Sequence, residues 1–210
     1  SLHTILGAGG MIANELVPVL LANKENIRIV ARHPKHQLGL DAIAADLESY
    51  EQTLFAVKGS SVVYLLVGLD YDSKVWAEKW PKIMTNTINA CKATGAKLIF
   101  FDNVYMYGKV EGYMTEETAF QPCSKKGIIR AAIAQQLLAE MATGSIEALI
   151  ARSADFYGTK SIRTSFANTM IFSNLSKGKK AQWLVNEKVP HAFTDVPDAA
   201  KALYLLAKDD

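Results

Sequence analysis

The chain predicts a doubly wound α/β domain, a parallel sheet with helices on both faces. Three observations carry that expectation. Apolar, β-branched runs alternate with helical patterns along the 210 residues. A glycine-rich turn follows the first run, and no linker, repeat or low-complexity stretch divides the sequence. One domain over residues 1–210 is therefore expected, with the more polar 157–195 stretch as a small region beyond the main sheet.

The elements follow in order. Leu2–Leu6 reads as the first strand, the turn as its end, and Met11–Ala22 as the first helix, with Pro18 removing a donor inside it. A second strand is expected at Ile27–Ala31, a helix at Ser49–Val57 and a third strand at Val62–Val67. Val75–Thr94 is the next helix, where Trp76 and Trp80 lie one turn apart as core or interface anchors. The strand Lys97–Phe101, the helix Lys126–Met141 and the strand Ala148–Arg152 complete the alternation. Residues from Tyr157 to Pro190 are irregular. A final helix, Asp198–Ala207, is capped by Asp195 or Asp198, with Pro197 near its first turn.

Composition bounds the partners. Half the residues are apolar and 21% charged, as in a globular protein. A net charge of +2 is too small to argue for nucleic acid or an anionic membrane surface. No apolar stretch approaches the roughly 20 residues a spanning helix needs, and no signal peptide precedes the first strand. Cys91 and Cys123 form no disulfide framework, which points to a reducing cytoplasm. His33, His36 and His191 show no metal-ligand spacing with these cysteines, so no metal is expected.

The turn names a ligand class. Leu6 to Ala13 reads Leu-Gly-Ala-Gly-Gly-Met-Ile-Ala. Glycines between a buried strand and a helix let the backbone approach a diphosphate and aim the helix N-terminus at its charge. Gly7 and Gly10 occupy the first two glycine places, Ala13 the third, where close packing needs only a small side chain; Met11 and Ile12 open the helix. After the second strand comes Ala31-Arg32-His33-Pro34-Lys35-His36, with no carboxylate for the adenosine ribose hydroxyls. The Arg32 guanidinium is suited to a 2′-phosphate, which favours NADP over NAD; the alternative is a solvated basic loop. Asp46, followed by Leu47, suits the adenine amino group, or caps the following helix. Val67, closing the third apolar run, completes the expected cofactor set.

The fourth strand end reads Phe100-Phe101-Asp102-Asn103-Val104-Tyr105-Met106-Tyr107-Gly108, then Thr115-Glu116-Glu117-Thr118-Ala119-Phe120-Gln121-Pro122. Here the chain resembles the extended short-chain dehydrogenase/reductase superfamily, the NAD(P)-dependent epimerase/dehydratase family. Arg152-Ser153-Ala154-Asp155-Phe156-Tyr157-Gly158 and His191-Ala192-Phe193-Thr194-Asp195-Val196-Pro197-Asp198 resemble its later motifs, in the right order. The resemblance implies a Rossmann-type fold, a substrate-facing role for 157–195, a small-molecule substrate and a possible homodimer. It also implies a tyrosine as general acid/base, a lysine four residues on, and a serine or threonine that orients substrate.

All three of those residues are replaced. Counting from Pro122 puts Lys126 at the tyrosine position and Arg130 at the lysine position; counting back from Gly108 puts Asn103 at the serine position. Three options stay open. Lys126, with Arg130 at i+4, is itself the acid/base, its amine pushed toward neutrality by desolvation and repulsion. Tyr105 or Tyr107 supplies a displaced phenol, Tyr107 being the better packing residue. Or redox chemistry is lost and the nucleotide remains as a ligand. The expected function is an NAD(P)-dependent oxidoreductase or epimerase acting on a small carbonyl or sugar-like metabolite. The alternatives are a non-catalytic NADP(H)-binding sensor and a scaffold with a vestigial site. Family members usually extend well past the last motif, so a truncated chain or a reduced substrate lobe is expected here.

Overall fold

The computed structural model describes residues 1–35, 39–158, 165–183, 186 and 188–209. His36 of the basic loop and residues 159–164 of the expected substrate-facing region lie outside the described residues. Six strands form one parallel sheet: β1 (Leu2–Leu6), β2 (Asn26–Ala31), β3 (Asp41–Ala44), β4 (Val62–Leu65), β5 (Lys97–Asp102) and β6 (Ala148–Arg152). Their spatial order is β3-β2-β1-β4-β5-β6. The chain runs outward from β1 to β3 and then returns to β4 on the other side of β1. That reversal opens a crevice at the carboxyl edge between β1 and β4, where ligands bind in such sheets.

Alternation along the strands divides the core into two layers. Leu6, Val30, Val63, Leu65, Leu98 and Phe100 point to one face. It is covered by α2 (Tyr50–Val57), α3 (Ser73–Thr94) and α4 (Lys125–Ala142). Ile5, Ile29, Tyr64 and Ile99 point to the other, covered by α1 (Met11–Ala22) and the final helix, Val196–Lys208. The fold is thus Rossmann-like, with helices on both sides of a parallel sheet. A second, two-stranded parallel sheet pairs β7 (Asp155–Tyr157) with β8 (Phe193–Asp195). Between them lie a π-helical turn, Ala167–Phe172, and the short α5, Ser173–Leu175; the final helix is α6.

Several boundaries differ from the sequence reading, each for a local reason. β3 was not expected, because Asp41-Ala-Ile-Ala44 is four residues long and lies at the sheet edge. Ser49 caps α2 instead of belonging to it, its hydroxyl accepting from the Gln52 N–H; Asp46 therefore is not that cap. Asp72 caps α3, accepting from the Lys74 and Val75 N–H groups, and starts that helix two residues early. β4 ends at Leu65, short of Val67, whereas β5 extends by one residue to take in Asp102. The last helix begins at Val196, with Asp195 at the cap position and no side-chain cap bond.

Candidate functional site

The turn after β1 is built by close approach. The N–H groups of Gly7 and Ala8 both donate to the Val30 carbonyl, at 3.0 and 2.9 Å. Gly7 has φ +103°, and a Cβ there would stand 2.8 Å from the Leu66 carbonyl carbon and the Val67 nitrogen. Both the backbone angle and the contact demand glycine. Gly10 caps α1 in extended conformation and brings no side-chain cap. Ile12 and Ala13 are buried under the helix, so their side chains fasten α1 to the sheet.

Above this turn lies a cleft of about 260 Å³ at the strand-order reversal. Gly7, Gly10, Arg32, Asp46, Leu47 and Val67 all line it, joined by Ala8, Gly68, Leu69, Glu48, Lys79 and Ile83. Six of the eight residues expected to hold a cofactor thus share one cavity; Met11 and Ile12 stand beside it in the first turn of α1. The Asp46 carboxylate accepts from the Glu48 N–H at 3.0 Å, while the Asp46 N–H donates to Gln52 Oε1 at 2.9 Å. A turn that excludes a Cβ at Gly7, together with a guanidinium and two carboxylates along the walls, fits a nucleotide. Glu48, Lys79 and Ile83 were missed in the sequence because no local motif marks them. Lys79 and Ile83 are one helical turn apart on α3 and reach the cleft only through the packing of that helix.

The four residues at expected catalytic positions lie elsewhere: none of Asn103, Tyr105, Lys126 and Arg130 lines the cleft. Asn103 turns its carbonyl oxygen onto the Tyr105 N–H, at 3.0 Å. Arg130 is 4% exposed; its Nε donates to Asp102 Oδ1 at 2.7 Å and its Nη2 to the same oxygen. The guanidinium carbon also stands 4.4 Å from the Trp80 ring centroid and 5.1 Å from that of Phe100. Asp102 was not singled out in the sequence, where it closes an apolar run; the extension of β5 places it under α4. Burial pushes its carboxyl up against the downward pull of Arg130, and its second oxygen has no hydrogen-bond partner.

Lys126 does not face a bare cation, because Asp102 compensates Arg130. Lys126 Nζ donates to the Tyr71 carbonyl at 3.0 Å and sits 3.1 Å from the centre of the Tyr71 ring. The Tyr71 hydroxyl donates to the Tyr105 hydroxyl at 3.4 Å, and the Tyr105 ring stacks on Trp76 at 6.3 Å and 13°. Burial pushes the Tyr105 phenol well above the usual tyrosine range, the direction opposite to an activated base. Tyr107 packs: it is 4% exposed, accepts from Arg152 Nη1 at 2.9 Å and donates to the Thr115 carbonyl at 3.3 Å. Among the described residues no group of three or more His, Cys, Asp or Glu side chains could hold a metal, and no helix is long and apolar enough to cross a membrane.

Comparison with known proteins fits this geometry. The model of the NAD dependent epimerase/dehydratase family matches residues 3–210. No curated protein matches the chain in sequence. Among solved structures, MoeE5 in complex with UDP-glucose and NAD is 25% identical, with a TM-score of 0.79 over 99% of this chain and 71% of that one. The UDP-glucose 4-epimerase of Thermus thermophilus, in complex with NAD, is 20% identical, with a TM-score of 0.83 over 100% of this chain and 75% of that one. The UDP-N-acetylglucosamine 4-epimerase of Bacillus cereus is 15% identical, with a TM-score of 0.84 over 99% and 72%. The last two share the fold. With the family model spanning nearly its whole length, the chain belongs to the NAD dependent epimerase/dehydratase family.

Proposed function

We propose that the chain binds an NAD(P)-type dinucleotide, NADP in preference to NAD, and acts on a small carbonyl or sugar-like metabolite without the family's tyrosine-centred proton transfer. The observation that carries this reading is the convergence of Gly7, Gly10, Arg32, Asp46, Leu47 and Val67 on one cleft. Gly7 and the N-terminus of α1 hold the diphosphate, Arg32 the 2′-phosphate, and Asp46 with Leu47 the adenine edge. A bound nicotinamide would supply hydride transfer. UDP-glucose beside NAD in MoeE5 supports a nucleotide-sugar as the metabolite class. Asn103 and Tyr105 are the polar groups at the end of β5 that would orient it, and Lys126 Nζ is the group that would hold or release a proton.

A second reading, a non-catalytic NADP(H) sensor, draws on the Arg130–Asp102 pair, which ties down the residue at the lysine position. Calorimetric titration with NADPH and NADH tests the shared part: NADPH binds more tightly, and failure of both to bind retires both readings. A screen of nucleotide-sugars for reduction of bound NADP then separates them. Turnover that disappears in Lys126→Ala supports the enzyme; NADPH binding with no turnover of any sugar-like compound supports the sensor.

A further inference from the structure

The end of β2 offers a ribose no carboxylate, but the fold brings one into the same cleft from another element. Glu48, in the turn between β3 and α2, lines the cavity together with Arg32. Helix α3 holds it there. Lys79 Nζ donates to Glu48 Oε1, Lys82 Nζ stands 3.6 Å from Oε2, and Asn86 Nδ2 donates to the adjacent Leu47 carbonyl at 2.9 Å. Lys79 also lines the cleft, so the walls carry Arg32 and Lys79 against Asp46 and Glu48.

We propose that the Glu48–Lys79 pair sets the discrimination between 2′-phosphorylated and unphosphorylated dinucleotides, with Lys79 acting through Glu48. This rests on the dinucleotide reading above. With Lys79 in place the Glu48 carboxylate is paired, and it opposes a 2′-phosphate on Arg32 less than an unpaired carboxylate would. Without Lys79, Glu48 retains Lys82, 3.6 Å from its Oε2, but loses its closer partner, and its carboxylate in the cleft is less compensated. It then repels a 2′-phosphate and accepts hydrogen bonds from an unsubstituted ribose diol, the arrangement that selects NAD. Lys79 is a positioning residue, and Glu48 is the group that reads the ribose.

The test is the ratio of NADPH to NADH affinity, measured by calorimetry on the whole chain. It is measured for wild type, Lys79→Met, Glu48→Gln, the double variant, and Lys79→Arg. A merely structural role for Lys79 would weaken both nucleotides together and leave the ratio alone. The expected result is a fall of about tenfold in the ratio for Lys79→Met, the size of one charge contact in a partly solvated cleft. Lys79→Arg restores the ratio, Glu48→Gln raises it severalfold, and Lys79→Met has no further effect in the Glu48→Gln background. If Lys79→Met does not fold, the rise in Glu48→Gln alone carries the test. A ratio unchanged within twofold in both single variants overturns the proposal, as does an equal fall in the Glu48→Gln background. Wild-type protein that binds neither nucleotide overturns the dinucleotide reading itself, and the proposal with it.

Discussion

Replacing Asp102 by Asn should be among the more damaging single changes in this protein, because it strands a buried guanidinium. The Asp102 side chain is 0% exposed and that of Arg130 is 4% exposed, so neither charge can turn to water. Breaking a buried pair from one side costs about 3–5 kcal/mol. The Trp80 and Phe100 faces, at 4.4 and 5.1 Å from the guanidinium carbon, are present in both proteins and cancel from the difference, so the loss stays at about 3–5 kcal/mol. At about 2–4 °C per kcal/mol for a chain of this size, the melting temperature falls by about 6–20 °C. Arg130→Met should cost less, about 1–3 kcal/mol, since burial already drives the Asp102 carboxyl toward its neutral form. Equilibrium urea unfolding at pH 7 measures both single variants and the double one. Trp76 and Trp80, two of the three tryptophans, report by fluorescence from beside the pair. The double variant should lose at least about 2 kcal/mol less than the two single losses combined. Additivity within about 0.5 kcal/mol would refute the argument, because it would mean the two charges do not depend on each other.

Three further outcomes follow from the geometry. Gly7→Ala forces a Cβ to within 2.8 Å of the Leu66–Val67 backbone at φ +103°; it should cost about 3 kcal/mol in thermal or urea melts and abolish NADPH binding in calorimetry. Lys126→Ala loses an ammonium held over the Tyr71 ring but touches nothing in the cleft. Its melting should change by less than about 1 kcal/mol and its NADPH affinity by less than twofold, and a tenfold loss of affinity would show that Lys126 reaches the nucleotide. Glu25 is held at about 2, against 4.5 ordinarily, chiefly by its hydrogen bond from Lys208. A depressed carboxyl stabilises the fold above its unfolded value, so Glu25→Gln should cost about 1 kcal/mol at pH 7, after allowance for solvent screening. That difference should shrink as pH falls from 4.5 toward 2, read from melts of both proteins across the range.

What the sequence determined was everything carried by local pattern. Strand–helix alternation specified a parallel sheet, and β1, α1 and β6 stand at Leu2–Leu6, Met11–Ala22 and Ala148–Arg152, as their periodicity and turn residues indicate. The glycine turn was legible because a close backbone approach leaves its mark as missing side chains at fixed spacing. The edge strand β3 was not, since four residues carry too little alternation to declare themselves. Tertiary structure alone decided the surroundings of the charged residues. Arg130 and Lys126, four residues apart, look like two repelling cations on one helix face, until β5 brings Asp102 beneath the first and the loop after β4 lays Tyr71 under the second. Glu48 and Lys79 are 31 residues apart and meet only because α3 packs across the β3–α2 turn. Charge interactions depend on distance and burial, and the spacing of residues along a chain encodes neither once they sit on different elements.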